Sequence, residues 1–416
     1  MKLKLEDKLV DKKYNLVNLC DRFLIFSLAL MIFTVPFSES IKNIAFGMTL
    51  FFWLTKISIK REFIIKMYAL GWFHFAFLMV SILSALFAIN VYQGFRGVWD
   101  IFRYFAVFLI IINNIDSERK IRLLVAIFLV SISIGCIWGI YESLQSPTQY
   151  LAQLRIHSLG HQNHTATYLL IMFAIALGFL INFQSSTIVK LINLYFLILI
   201  GISIILTDSR TAFVTFFVMF LAFIFVIKKW KILTIGVIVL LSSLLGLYTF
   251  SSFSKNRTFS QAVIAGYKGI LSPTEDPFVQ QRLRLWKKTL NIIAKNPVLG
   301  VGVRNFDLTM ISKQGEGPSH AHNLFLNIGA EMGILGLMTF LSWLFCYIYT
   351  WAKSKARLVN DLDKALWLAV LGSFITIIIS GLATTTLHTE GAIAFTSIVG
   401  LLLSSLKIKA VKVLSL

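Results

Sequence analysis

Charge is scarce in this chain. Of 416 residues, 14% are Asp, Glu, Lys or Arg, against about 25% in an average soluble protein. The shortage, with 57% apolar residues, 37 Phe and 9 Trp and a mean hydropathy of +0.80, excludes the two or three soluble domains that the length alone would suggest. Cysteine is nearly absent as well. Cys20, Cys136 and Cys346 fall within or at the edge of apolar segments, so no disulfide framework exists and the redox compartment is unreadable. Glycine-rich phosphate cradles of the nucleotide type are missing, as are internal repeats at solenoid periods and low-complexity tracts. The opening MKLKLEDKLVDKKYN is charged for too long and lacks a small-residue cleavage site, so no removable signal peptide is expected.

What is abundant is long apolar sequence. A span needs about 20 apolar residues to cross a hydrocarbon core of roughly 30 Å. Twelve runs qualify, near 22–37, 42–57, 67–89, 98–114, 121–142, 165–183, 188–206, 211–227, 232–250, 327–351, 364–383 and 391–406. They lack strand alternation, and backbone in lipid must satisfy its own hydrogen bonds, so they are predicted to be helices. Lys and Arg orient them. Alternate connections (2–22, 56–66, 119–122, 190, 228–231, 353–364 and 407–412) hold 24 basic residues; the short connections on the other side hold four, Lys42, Arg96, Arg155 and Arg210. This bias places both termini in the cytoplasm. The fold class is therefore an all-α integral membrane protein of about twelve transmembrane helices with one long outer loop. Residues 1–250 would carry helices one to nine, 251–323 the loop and 324–416 helices ten to twelve.

The formal charge of +20 would suggest nucleic acid in a soluble protein. Here most of it is the topology signal. The outer loop still carries ten basic residues against Glu275, Asp276, Asp307 and Glu316, and that excess calls for an anionic partner.

Six of the seven histidines (His157, His161, His164, His320, His322 and His388) lie on the outer side, and only His74 lies within a span. Imidazole suits proton transfer near neutral pH, and His320 and His322 sit where the loop re-enters the membrane. His157, His161 and His164 have helical spacing, but no Cys, Asp or Glu lies among them and Gly160 opposes a regular helix, so no metal site is expected. Asp361-Leu362-Asp363 mimics a metal-binding DxD but reads as a charge-balanced turn on the cytoplasmic side. Arg210 occupies a very short outer turn, where Asp208 or Ser209 can cap the next helix and its free N–H groups favour an anion. Arg282 and Arg284 begin an amphipathic helix whose apolar stripe is expected to be Leu283, Trp286, Leu290 and Ile293. Asp100 and Arg103, spaced i, i+3, form an expected intramembrane pair, and such ions are candidates for function. Guanidinium forks match phosphate oxygens, so a lipid diphosphate is the anion that fits.

Several stretches carry a family likeness: Arg282 to Trp286; Asn296-Pro297-Val298-Leu299-Gly300-Val301-Gly302; His322-Asn323; and Glu331-Met332-Gly333-Ile334-Leu335-Gly336. With Asp208-Ser209-Arg210-Thr211 and the Arg155…Gly160…Asn163 loop, they make residues 155–340 resemble the O-antigen ligase and polymerase superfamily, most closely its ligases. The resemblance implies a metal-independent, cofactor-free glycosyltransferase of the GT-C type in the bacterial inner membrane. It would move a glycan from undecaprenyl diphosphate to a lipid A–core acceptor at the periplasmic face. His322 then corresponds to the essential histidine, a general base, and Arg210 and Arg282 to diphosphate-binding arginines. Arg284, His320, Arg103 and Arg155 join them as candidate substrate contacts. Membrane lipids are implied partners and nucleic acid is not. No carboxylate pair suggests a covalent glycosyl intermediate, so transfer should invert the anomeric centre. A polymerase or a protein O-oligosaccharyltransferase of the same superfamily is the alternative. A transporter or flippase fits less well, because duplicated halves and broken midplane helices are not evident.

Overall fold

The computed structural model describes residues 2–61, 63–145, 154–182, 186–228, 236, 277–310, 318–387 and 389–414. Among these there is no β-strand. The α-helices in chain order are α1 (Lys2–Thr34), α2 (Glu39–Lys60), α3 (Tyr68–Leu86), α4 (Val91–Asn114), α5 (Glu118–Gln145) and α6 (Gln162–Asn182). They continue with α7 (Thr187–Leu206), α8 (Arg210–Ile227), α9 (Pro277–Lys295), α10 (Leu324–Ser354), α11 (Asp361–Ile375) and α12 (Thr389–Leu414). A π-helical turn, Thr376–Ser380, prolongs α11.

Each apolar run maps to a helix except 232–250, which apart from Gly236 lies outside the described residues, as do 251–276 and 311–317. Nine helices among the described residues are long and apolar enough to cross a membrane, and the chain is an all-helical integral membrane protein. α2 and α4, with 22 and 24 residues, are long enough at about 33 and 36 Å. They carry charge instead: Glu39, Lys42, Lys56 and Lys60 on α2, Arg96, Asp100 and Arg103 on α4. α1 begins well before the expected residue 22, because its charged turns continue the helix before the apolar segment.

α6 and α12 are the most enclosed helices, and α6 is apolar on all sides, as a helix surrounded by others must be. Its approach to α11 uses small residues: a Cβ on Gly178 would meet Ala365 O at 2.5 Å, and one on Gly372 would meet Ala174 Cβ at 2.4 Å. Close backbone contact is how helices gain packing energy without a hydrophobic drive between them. His74, the one histidine within a span, is held among the rings of Tyr104, Phe105 and Trp343, with centroids 4.6–5.1 Å away.

The connections sort into two ends. At the basic end, Lys66 N–H donates to Asn113 (3.0 Å), Asn360 donates to Glu118 (2.9 Å) and Lys409 pairs with Asp363. Asp361-Leu362-Asp363 is a helix cap. Asp363 is fully buried, completes a capping box with Asn360 and accepts from Ser405, so the charge-balanced turn expected is also a built junction. At the other end, the connections 34–39, 86–91, 154–162, 206–210, 295–310, 318–323 and 381–387 converge. Ser158 N–H donates to Pro36 O (3.2 Å), Ile89 N–H to Val301 O (3.1 Å) and Leu154 N–H to Leu206 O (2.9 Å).

Candidate functional site

The converging end is held by backbone pairing around a break in α10. Gly333 has φ 63° and ψ −164°, a region open essentially only to glycine. The break frees groups that the segment 297–302 takes up. Val301 N–H donates to Ala330 O and Gly302 N–H to Glu331 O, both at 2.9 Å, and Ile334 N–H donates to Pro297 O at 2.8 Å. Two backbones run in direct contact here. A Cβ on Gly300 would meet Glu331 C at 2.3 Å, and one on Gly333 would meet Val298 O at 2.3 Å. The spacing of glycines in P-x-x-G-x-G and E-x-G therefore has a steric cause.

That framework holds His322. Trp286, one turn after Arg282 on α9, donates its Nε1–H to Ala321 O at 3.1 Å. Ala321 N–H donates to Asn327 at 3.0 Å. On the other side Asn323 caps α10, accepting from Phe325 and Leu326 N–H at 3.0 and 3.1 Å, and donates to Leu382 O at 3.1 Å. His322 is clamped between these anchors at φ 49°. Non-glycine residues held there concentrate at functional sites.

Around it stand three more imidazoles. His320 lies 4.3 Å from His322 between ring centroids, His164 lies 6.2 Å from His320, and His161 lies 6.0 Å from His164. Gly160 (φ 69°) ends the turn before α6, so His157, His161 and His164 do not share a continuous helical face. His157 is exposed on that turn, and His388 lies outside the described residues. No group of three or more His, Cys, Asp or Glu side chains suited to a metal ion occurs among the described residues.

Burial, then the charges of Arg282 and His161, push the His322 pKa below its ordinary value. Burial and Arg155 do the same to His161. A neutral imidazole near pH 7 can accept a proton, and the Nδ1 of His322 is buried without a hydrogen-bond partner. Arg282 and Arg155 thus act on the cluster directly. Arg210 is brought to it by its turn: Ser209 Oγ donates to Asn163 Oδ1 (3.0 Å), next to His164, and accepts from Ala212 N–H (3.3 Å) as the cap of α8. Asp208 before it is left-handed, φ 53°.

Arg284 is not brought into the cluster. It is exposed on α9, away from the docked face made of Arg282, Leu285, Trp286, Thr289, Ile292 and Ile293. The expected stripe is accordingly corrected: Leu283 and Leu290 are 48% and 54% exposed, because Leu285 packs with Phe306, Ala321 and Ala330 and sets the register. Arg103 belongs to a neighbouring group, paired with Asp100 as expected. Sequence reading missed two partners there. Buried Lys42 pairs with Glu39 and Glu390, and its only sequence signal was a lysine on the sparsely basic side.

Comparison with known proteins gives the same region. The family model described as O-antigen ligase matches residues 194–341. A "Putative polysaccharide ligase" of Rickettsia conorii is 35% identical over 100 residues, 22% of this chain and 23% of that protein. One of Rickettsia typhi is 30% identical over 191 residues, 42% of each. The matches thus span less than half the length of these relatives.

Proposed function

We propose, for a chain that belongs to the O-antigen ligase family through residues 194–341, a polysaccharide ligase that joins a glycan from undecaprenyl diphosphate to a lipid A–core acceptor. The converging end faces the periplasm, the termini are cytoplasmic, and the protein resides in the bacterial inner membrane. Twelve spans in a GT-C-type arrangement, with 232–250 as the ninth and 251–323 as a periplasmic loop domain, complete this reading.

The observation that carries it is the chain of imidazoles from His322 through His320 to His164, within reach of the Arg282 charge at one end and, at the other, beside Asn163, to which the Arg210 turn is bonded. In the reaction, the acceptor hydroxyl gives its proton to the His322 imidazole as its oxygen attacks the anomeric carbon. The bond from that carbon to the diphosphate oxygen breaks, and the electron pair leaves on the diphosphate. Arg210 and Arg282 neutralise the departing charge. A positioned base contributes about 10²–10⁴ in rate, and one preorganised donor about 10²–10³. Arg155 adds positive charge for the donor, and burial with the charge of Arg282 favours the neutral form of His322. A single displacement inverts the anomeric centre.

The test is purified protein in bilayer nanodiscs with undecaprenyl-diphosphate-linked polysaccharide and rough lipopolysaccharide. Transfer to the lipopolysaccharide is expected. Growth of the glycan on its own lipid carrier would mean a polymerase, and transfer to protein alone an oligosaccharyltransferase; either overturns the ligase assignment.

A further inference from the structure

A second recess lies at the same end. It is an open cleft of about 440 Å³ beside Arg304, with walls from α2, α4 and the first residue of α12, within the range of about 300–1,000 Å³ usual for small-molecule sites. Trp99, Tyr92 and Phe95 line it from α4 and are 50%, 74% and 43% exposed. Its floor is Arg103, 6% exposed. That guanidinium pairs with Asp100 and donates to Asn43 at 2.5 Å and Thr389 at 3.3 Å, yet its Nε is buried with no partner. Asp100 also accepts from Arg304 at 3.1 Å. A buried guanidinium fixed by three partners, in a cleft edged by exposed aromatic rings, describes a site built for a ligand.

We propose that this cleft is a saccharide subsite that seats the acceptor glycan, an inference that rests on the ligase reading. Sugar hydroxyls donate and accept, so they can use the carboxylates of Glu39 and Asp100 and the donors of Arg103 and Asn43 together. A phosphate would gain the arginines and be repelled by both carboxylates. Sugar C–H faces stack on flat aromatic rings such as Trp99. The cleft is also coupled to His322 through two connections. The segment 295–323 supplies Arg304 to one and His322 to the other. The segment 381–389 meets Asn323 at Leu382 and lines the cleft at Thr389.

The test uses the full chain in nanodiscs. Oligosaccharide freed of lipid A from rough lipopolysaccharide is titrated by saturation-transfer NMR, with lipid A alone as a second probe. Binding of the oligosaccharide to wild type and to His322→Ala, lost at least tenfold in Trp99→Ala and recovered in Trp99→Phe, is expected. In the transfer assay Trp99→Ala should raise the acceptor KM at least tenfold with the donor KM within twofold. Absence of oligosaccharide binding in wild type, binding of lipid A alone, or a matching rise in donor KM would each overturn the proposal. The binding arm does not need transfer activity. Bound oligosaccharide without transfer would count against the ligase chemistry and leave the subsite standing.

Discussion

The two ends of the helix bundle treat charge in opposite ways. At the basic end, among the described side chains, the carboxylates are matched. Asp21 meets Lys56 at 2.5 Å, Asp116 meets Lys120 at 2.8 Å, and Asp363 meets Lys409 inside a capping box. At the converging end, Arg155, Arg210 and Arg282 gather around four imidazoles, and Asp208, Arg304 and His322 take left-handed backbone. The first arrangement neutralises and stabilises. Left-handed non-glycine backbone occurs at both ends, with Arg61, Tyr68 and Lys228 at the basic one; the second arrangement differs in concentrating positive charge, which folding alone does not call for and the proposed diphosphate substrate would.

Four measurements would break or sharpen that contrast. The largest effect is expected at the converging end: His322→Ala should lower kcat by about 10²–10⁴ and leave the thermal unfolding midpoint in place. A loss of folding with activity would make His322 structural. Asp363→Ala at the basic end should do the reverse. It leaves Lys409 without its buried partner and should cost about 3–5 kcal/mol of stability, read from thermal unfolding, with kcat of the folded fraction retained. Third, Arg282→Gln should lower kcat by about 10²–10³ and also move the acid limb of the rate profile. His322 has a lowered pKa, so its base form persists below about pH 6.5, the ordinary imidazole value, and is lost as pH falls through the folded pKa. Removing the Arg282 charge should raise that limb, and Arg282→Lys should leave it low. An unmoved limb in Arg282→Gln would separate the titrating group from His322. Smallest, treatment with EDTA should change transfer by less than about twofold, against the orders of magnitude that a catalytic metal supplies.

Much of the fold was legible because lipid imposes simple rules: a run long enough to cross must be a helix, and lysine and arginine mark one side. The turn of Arg210 was legible too, since Ser209 as a cap and Arg210 at a helix start depend on neighbours in sequence. What escaped were contacts made across the chain. Lys42 and Glu390 are 348 positions apart, and nothing in either neighbourhood announces the pair. The meeting of His161 and His164 with His320 and His322 is of the same kind. The face of α9 was misjudged because hydropathy rewards Leu283 and Leu290 equally with Leu285, whereas docking against Phe306 and Ala330 selects only one register.

The break at Gly333 has a consequence for how the protein is made. The chain grows from its N-terminus, so Pro297 to Gly302 are synthesised before Ala330 and Glu331, which accept from Val301 and Gly302, and before Ile334, which donates to Pro297. His322 reaches its clamped geometry only once Asn327 and Leu382, which hold its neighbours Ala321 and Asn323, have been made.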